Sequence, residues 1–150
     1  MQKTSRNDGF TLLEIMVVVL IIGMLMALIA PRIFGRFTQA KVDLARVGVK
    51  QISAQLELYK LDNGAYPTSE QGLDALVHEP SGEPRPKRYP EGGYISSDLL
   101  KDPWQNPYHY DRPGKNNPNS YDLYSYGDDG APGGEGNNAD IGNWEVSAQR

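Results

Sequence analysis

The chain has 150 residues, which is the length of one ordinary globular domain. Its formal net charge is −4, so it lacks the basic surface that nucleic-acid backbones select, and we expect no nucleic-acid partner. It contains no cysteine, so its loops must be held by packing, hydrogen bonds or a metal ion rather than by disulfides.

The N-terminal segment predicts a membrane helix. A polar leader with Lys3 and Arg6 precedes an apolar run from Phe10 to Ala30, in which Glu14 is the only charged residue. This run reaches the roughly 20 residues that an α-helix needs to cross a bilayer. A secretory signal peptide would be followed by a small-residue cleavage site, and none follows this run.

Glu14 needs an explanation, because a charge in a membrane helix costs roughly 2.5 to 3.5 kcal/mol near the bilayer centre. An uncleaved signal anchor, the alternative interpretation, accounts for the apolar run but not for Glu14. Cleavage between Gly9 and Phe10 would place a positive α-amino group just over one helical turn from Glu14. In a stack of identical helices, Glu14 of one subunit would pair with the amine of the next. The segment therefore predicts self-assembly.

An amphipathic helix follows. Its apolar positions recur every three or four residues, which places them on one helical face. These positions are Val42, Ala45, Val49, Ile52, Leu56 and Tyr59. We expect one long helix from about Phe10 to Leu61, with its membrane half at residues 10–30 and its amphipathic half at residues 31–62. Pro31 removes a backbone donor, so the stretch from Gly23 either unwinds or simply kinks.

Residues 63–150 are polar and predict one small globular domain. "LDNGAYPT" at 61–68 ends the helix through its Asn-Gly and Tyr-Pro pairs. Ser69 to Val77 predicts a short amphipathic helix that begins at a capping residue. Four prolines between His78 and Pro90 predict an ordered loop.

Three aromatic-rich segments favour β-strands: "DPWQNPYHY" at 102–110, "YDLYSY" at 121–126 and "IGNWEV" at 141–146. The first two are separated by a turn and predict an antiparallel pair. A three-stranded sheet packed on the amphipathic helix is the smallest arrangement that buries both apolar faces, which predicts the α+β class. We expect the aromatic rings of this sheet to serve packing rather than ligand stacking. These rings include Trp104, Tyr108 and Tyr110.

The segment "GFTLLEIMVVVLIIG" at 9–23 resembles the class III signal of type IV pilins and pseudopilins. The resemblance implies that a prepilin peptidase cleaves after Gly9 and N-methylates Phe10. Residues 1–9 would then be a leader peptide, and Glu14 would be the fifth residue of the mature chain, where it serves assembly.

Four downstream segments resemble the major pseudopilins of type II secretion systems, the general secretion pathway protein G family. They are "YKLDNGAYPTSEQGLDALV" at 59–77, "GGYI" at 92–95, "DPWQNPY" at 102–108 and "DIGNW" at 140–144. The resemblance implies a type IV pilin-like fold with a C-terminal calcium loop. It also implies a Gram-negative, single-pass inner-membrane protein whose C-terminal domain lies in the periplasm.

The same resemblance implies a function and a set of partners. The chain would be the major structural subunit of the pseudopilus, a homopolymer that drives folded proteins through the outer-membrane secretin. Its further partners would be the prepilin peptidase, the minor pseudopilins, and an inner-membrane assembly platform with its cytoplasmic ATPase.

The Gly-rich segment "GDDGAPGGEGNNAD" at 127–140 buries too little apolar surface to order itself. Its carboxylates, amides and carbonyls are the oxygen ligands that a hard cation takes, so we expect calcium. By resemblance to the family's calcium loop, Asp129 and Asp140 would supply carboxylates and Tyr126 a backbone carbonyl. Asn137 or Asn138 would supply a further oxygen.

Alternatives for this loop differ in their spacing. The ligand spacing of an EF-hand is absent, and a single nonapeptide resembling a β-roll repeat lacks the stacked copies that stabilise such repeats. A solvated flexible loop remains as the other alternative. Family members often carry an acid near Asn138, and the two amides in this chain make the site less negative.

No catalytic constellation is visible. His78 and His109 are the only histidines, and neither lies at a spacing typical of a nucleophile or a metal site, so we expect no enzyme. The alternative function is a minor or tip subunit of a pilin-like filament that binds DNA or surface ligands. Glu14 opposes that alternative, because a terminal subunit has no neighbour above it to pair with, and the acidic charge opposes DNA.

Overall fold

A computed structural model describes residues 11–144 of the chain. Its longest element is helix α1, Leu12–Asn63, which confirms the predicted long helix and ends two residues beyond Leu61. The helical backbone continues through Gly23 and Pro31, and unwinding of this stretch in a filament stays a prediction. The chain divides between Phe37 and Thr38 into two compact units, which are described one at a time. The boundaries predicted after residues 9, 30 and 62 stay predictions.

The described part of the first unit is the beginning of α1. Apolar side chains between Leu12 and Met26 are exposed. Thr11 caps the helix, because the backbone N–H of Glu14 donates a hydrogen bond to the Thr11 hydroxyl at 3.2 Å. Among the residues placed by the structure, no helical stretch is both long and apolar enough to qualify as a membrane span.

In the second unit, α1 supplies one wall of the hydrophobic core. All six positions predicted from the three- and four-residue spacing are buried, so the predicted core face is confirmed. The opposite wall comes from the sheet and the loops around it. Its main contributors are Tyr66, Leu73, Leu76, Ile95, Tyr108, Tyr121, Leu123 and Ile141.

Gly48 of α1 lets Tyr108, the residue just before β1, approach the helix closely. A Cβ atom at this position would collide with the ring and hydroxyl of Tyr108. The Tyr108 hydroxyl instead donates a hydrogen bond to the backbone carbonyl of Ala45 at 3.2 Å. A single glycine therefore permits a polar anchor between helix and sheet.

The sheet has three antiparallel strands, as predicted, and their order is β1–β2–β3. They are β1, His109–Asp111, β2, Asp122–Ser125, and β3, Ile141–Gly142. In the register, His109 lies opposite Tyr124, and Ser125 lies opposite Ile141. The third strand was predicted to reach residue 146 but spans two residues, and residues 145–150 lie outside the described part.

The first strand was predicted from residue 102, which is wrong. Residues 102–106 form a tight turn that is closed by the buried Asp102 carboxylate, which accepts hydrogen bonds from the backbone N–H groups of Trp104 and Asn106, both at 2.9 Å. Gln105 adopts a positive φ of 74°, which no strand residue has. The aromatic pattern alone does not reveal this turn.

The helix predicted at 69–77 is also largely wrong, because only a 3₁₀ turn at Leu73–Leu76 forms. Gly72 precedes it with a φ of 57°, which interrupts a right-handed helix. The Ser69 hydroxyl does not cap the turn. It donates to the backbone carbonyl of Arg112 at 2.8 Å and accepts from the Arg112 N–H at 2.7 Å.

Candidate functional site

Two parts of the molecule carry the predicted functional residues: the start of α1 and the loop at 126–140. Gly9 and Phe10 lie outside the described residues, so cleavage and methylation stay predictions. Glu14 lies in the first turn of α1 and is exposed. Its backbone bond to Thr11 is half of a capping box, T-x-x-E, and the helix dipole favours a negative charge at this end. The sequence interpretation missed this local role of Glu14.

The two ends of the 126–140 loop are brought together by the sheet. Tyr126 directly follows β2 and Asp140 directly precedes β3. Ser125 and Ile141 are paired across these antiparallel strands. Their neighbours Tyr126 and Asp140 therefore lie side by side at the same end of β2 and β3. Two predicted ligands that are 14 positions apart in sequence therefore begin and end one closed loop.

Backbone carbonyls of the second half of the loop gather around Gly127. The Asp128 N–H donates to the Asn137 carbonyl at 3.1 Å. A Cβ atom at Gly127 would lie 2.6 Å from the Asn137 carbonyl oxygen and 3.1 Å from that of Ala139. Gly127 has a φ of 74°, so both its conformation and its surroundings require glycine.

The two predicted carboxylate ligands make only local hydrogen bonds. Both Asp140 oxygens accept from the same Gly133 N–H at 3.0 Å, and the Asp129 carboxylate accepts from the Ala131 N–H at 3.2 Å. Asp129 is exposed and Asp140 is half-buried. Among the residues that the structure describes, no three Asp, Glu, His or Cys side chains lie close enough together to hold a metal ion. The predicted set has only two carboxylates, and its other members are amide and backbone oxygens.

Aromatic rings cover the outer face of the sheet beside this loop. His109 lies 4.5 Å from Tyr126 and 5.3 Å from Tyr124, measured between ring centroids, and Tyr124 lies 5.6 Å from Trp144. Burial, together with hydrogen bonds to Tyr126 and Asp111, raises the pKa of Tyr124. The packed ring of Tyr126 fixes the chain at the point where the loop begins.

A buried polar network lies beneath the start of the loop, and the sequence interpretation missed it. The Ser125 hydroxyl donates to the Asp102 carboxylate at 2.5 Å and accepts from the Gly127 N–H at 3.1 Å. The segment "DPWQNPY" contained the signal, since an Asp followed by a proline and an Asn favours a turn over a strand.

A second apolar surface lies on α1 in the second unit, away from the core face. Its members are large apolar side chains at helical spacing, and we call them the outer stripe. The outer stripe comprises Leu44, Val47, Leu58 and Leu61, all exposed. The stripe consists of two exposed pairs, Leu44 with Val47 and Leu58 with Leu61, and exposed large apolar side chains on one helix face favour a protein–protein contact.

Two family models match the chain. The model described as "Type II secretion system (T2SS), protein G" covers residues 32–144, and the "Prokaryotic N-terminal methylation motif" covers residues 4–30. The chain belongs to the type II secretion system protein G family.

Curated members of the protein G family align over almost the whole chain. "Type II secretion system core protein G" of Pseudomonas aeruginosa is 52% identical over 143 residues, covering 95% of this chain and 99% of the relative. The protein of the same name from Vibrio cholerae is 46% identical over 146 residues, covering 97% of each. The crystal structure of the major pseudopilin from the type 2 secretion system of enterohaemorrhagic Escherichia coli matches with a TM-score of 0.64 and 38% identity, covering 75% of this chain and 89% of that chain.

These findings confirm the resemblance predicted from the N-terminal signal and the four downstream segments. They also confirm an α+β pseudopilin with a three-stranded antiparallel sheet. The protein G family is one of structural subunits rather than enzymes, and its curated members are named as core proteins. The alternative of a minor or tip subunit has no support among these matches.

Proposed function

We propose that this protein G chain polymerises into the pseudopilus of a type II secretion system and is its major structural subunit. Growth of this homopolymer drives folded proteins through the outer-membrane secretin. The observation that carries the proposal is the exposure of large apolar side chains on α1, at its beginning between Leu12 and Met26 and, separately, in the outer stripe. Such surface is stable only when other subunits or lipid cover it.

The same proposal places the chain in the inner membrane. Residues 10–30 cross it once, and the C-terminal domain lies in the periplasm. The apolar run in the sequence and the methylation-motif match support this placement. The prepilin peptidase cleaves between Gly9 and Phe10 and methylates the new amine. Glu14 then pairs with the amine of a neighbouring copy, which removes two charges from lipid together.

Further partners follow from the same function. Minor pseudopilins occupy the end of the filament, and an inner-membrane platform with its ATPase adds subunits from below. Sheared filaments test the proposal: this chain should predominate in them and should begin at methylated Phe10 by intact-mass analysis. A Glu14→Ala variant should enter the membrane but rarely appear in filaments. Trace amounts of the chain in filaments, or a mature form that retains residues 1–9, would contradict the proposal.

We further propose that the 126–140 loop binds calcium. The residues present fit such an ion, because the loop offers two carboxylates, the Asn137 and Asn138 amides and the Tyr126 carbonyl. Five of its glycines have a positive φ, at 127, 130, 133, 134 and 136, which lets the backbone turn its carbonyls inward. When bound, the ion would supply the positive charge that holds Asp129 and Asp140 near one another.

Thermal melts of the full chain in detergent test the calcium proposal. A ligand that binds only the folded state stabilises it by roughly 2.7 kcal/mol at a hundredfold excess over its Kd. The melting temperature should therefore be higher in calcium than in chelator, and Asp129→Ala should remove most of the difference. Magnesium should substitute poorly, since it prefers a rigid octahedral site. Superimposed melts in calcium and chelator would contradict calcium binding.

A further inference from the structure

We propose that Asp102 is a positioning residue for the calcium loop and acts through Ser125 on Gly127. The inference rests on the calcium site proposed above. Asp102 belongs to a different loop, 25 positions earlier in the chain than Gly127, and it would touch no ion itself.

The network begins at a buried carboxylate. Asp102 is 2% exposed, and one of its oxygens accepts the N–H groups of Trp104 and Asn106, both at 2.9 Å. Its other oxygen accepts the Ser125 hydroxyl at 2.5 Å, so the Ser125 proton points at Asp102. The lone pairs of that hydroxyl are then free to accept the Gly127 N–H at 3.1 Å. Because the Asp102 carboxylate only accepts, the Ser125 hydroxyl must donate to it and can accept from the Gly127 N–H.

A second link runs from the same turn to the same glycine. The Asn106 side-chain amide donates a long bond to the Gly127 carbonyl at 3.5 Å. It also lies beneath Gly130, where a Cβ atom would be 3.7 Å from the amide nitrogen. Gly127 is therefore held at its N–H by Ser125 and at its carbonyl by Asn106. These bonds fix the two peptide groups on either side of Gly127, the first of which carries the Tyr126 carbonyl.

The charge of Asp102 gives the network a reason to respond to a cation. Among the side chains that the structure describes, at 11–27 and 39–144, none of the ion pairs involves Asp102. Its charge is felt nearby, because burial and then the Asp102 carboxylate raise the pKa of Tyr108 to about 12. A buried carboxylate without a cation is costly, and a bound cation close by offsets part of that cost. Groups that orient metal ligands in this way typically contribute 10- to 100-fold in metal affinity.

The chain contains a matched control. Asp122 is also 2% exposed and also accepts backbone N–H groups, those of Asn116 at 2.7 Å and Asn117 at 3.0 Å. Its carboxylate organises the turn before β2, and none of its hydrogen bonds reaches the 126–140 loop. Asp122→Asn therefore carries the structural cost of losing a buried carboxylate without touching the path to Gly127.

The test compares Asp102→Asn, Ser125→Ala and Asp122→Asn in the full chain in detergent. Calcium affinity is measured by isothermal titration calorimetry, and stability by thermal melts in chelator. All three variants should melt at lower temperature in chelator. Asp102→Asn and Ser125→Ala should weaken calcium binding by about tenfold or more. Asp122→Asn should bind calcium with the Kd of the unaltered chain.

A milder variant decides the question if a buried substitution prevents folding. Asn106→Ala keeps the backbone bond to Asp102 and removes only the side-chain amide that bonds the Gly127 carbonyl, and it should weaken calcium binding by a smaller factor. If the unaltered chain binds calcium and Asp122→Asn weakens it as much as Asp102→Asn, the positioning role is overturned and the calcium site stands. If the unaltered chain binds no calcium, both proposals are overturned.

Discussion

At the scale of single residues, conformation and close contact decide which glycines of the 126–140 loop are irreplaceable. Gly127 and Gly136 both have a positive φ, 74° and 63°. Of these two, Gly127 alone is also surrounded, since a Cβ atom there would meet backbone carbonyls, whereas at Gly136 it would meet nothing within 4 Å. An alanine at Gly136 would therefore meet backbone strain alone, whereas an alanine at Gly127 would meet both strain and a steric clash.

We predict that Gly127→Ala is much more destabilising than Gly136→Ala. Both variants bear the cost of a left-handed alanine, about 1 to 2 kcal/mol. Gly127→Ala adds an overpacking cost of about 1 to 3 kcal/mol, because the Asn137 carbonyl must move. Thermal melts in chelator measure the difference without any contribution from a metal. Equal melting temperatures for the two variants would show that the carbonyls do not crowd Gly127.

Several tyrosines titrate abnormally because they are buried. Burial raises the pKa of Tyr121 to about 12, and it does the same for Tyr108 with help from Asp102. The unfolded value is near 10. The folded state therefore favours the neutral ring. This contribution to stability is complete below pH 10 and is lost as the pH rises from 10 toward 12.

We predict a late stage in an ultraviolet titration of the chain's tyrosines. Tyr108 and Tyr121 should ionise only near pH 12 or when the chain unfolds. Tyr108→Phe should remove one equivalent from this late stage. A single transition near pH 10 in a chain that is still folded by circular dichroism would contradict the burial of these rings.

At the scale of elements, the sequence predicts repeating patterns well and single polar anchors poorly. The core face of α1 is recognised from six apolar positions at intervals of three or four residues, so a polar residue at one of them would leave the pattern visible. The turn at 102–106 depends on one buried carboxylate, which the aromatic pattern around it obscures. The prediction at 69–77 likewise failed at one polar residue. The Ser69 hydroxyl bonds the backbone of Arg112 and does not cap a helix, and a 3₁₀ turn forms at Leu73–Leu76.

The same contrast applies to the candidate site. Tyr126 and Asp140 meet because of the strand register, which a sequence pattern does not specify without the sheet. Their placement at the loop ends follows from the resemblance, but the network through Ser125 does not. It joins two segments that are far apart in sequence and share no periodicity.

Gly48 offers a prediction about the contact between α1 and the sheet side. Glycine to alanine in a helix normally stabilises it by about 1 kcal/mol. Here the new methyl group would displace the Tyr108 hydroxyl from the Ala45 carbonyl, so we expect Gly48→Ala to destabilise the chain by about 1 to 3 kcal/mol. Denaturant unfolding in detergent measures this.

A double variant is the control for this contact. Combining Gly48→Ala with Tyr108→Phe removes the hydroxyl that the methyl group meets, so the two costs should sum to less than their separate values. Stabilisation by Gly48→Ala alone would mean that the helix and the tyrosine are further apart than described.

At the scale of the whole molecule, α1 exposes large apolar side chains in both compact units. Apart from Glu14, the exposed side chains between Leu12 and Met26 are mainly apolar, and the outer stripe is a separate exposed apolar feature of the second unit. Polymerisation accounts for both surfaces, since neighbouring helices cover them. Filament growth should therefore depend on the exposed apolar residues of α1, those of the outer stripe included, and not on exposed leucines outside α1.

The most direct measurement of this central claim is the filament yield of two matched variants, counted by electron microscopy. Leu58 in the outer stripe and Leu99 in the 3₁₀ turn Ser97–Leu100 are 45% and 46% exposed, so a glutamate at either position should be tolerated by the folded subunit. Leu58→Glu should lower filament yield at least tenfold, because a buried unpaired charge between helices costs several kcal/mol. Leu99→Glu should leave the yield near that of the unaltered chain. Equal yields from the two variants would contradict assembly through α1.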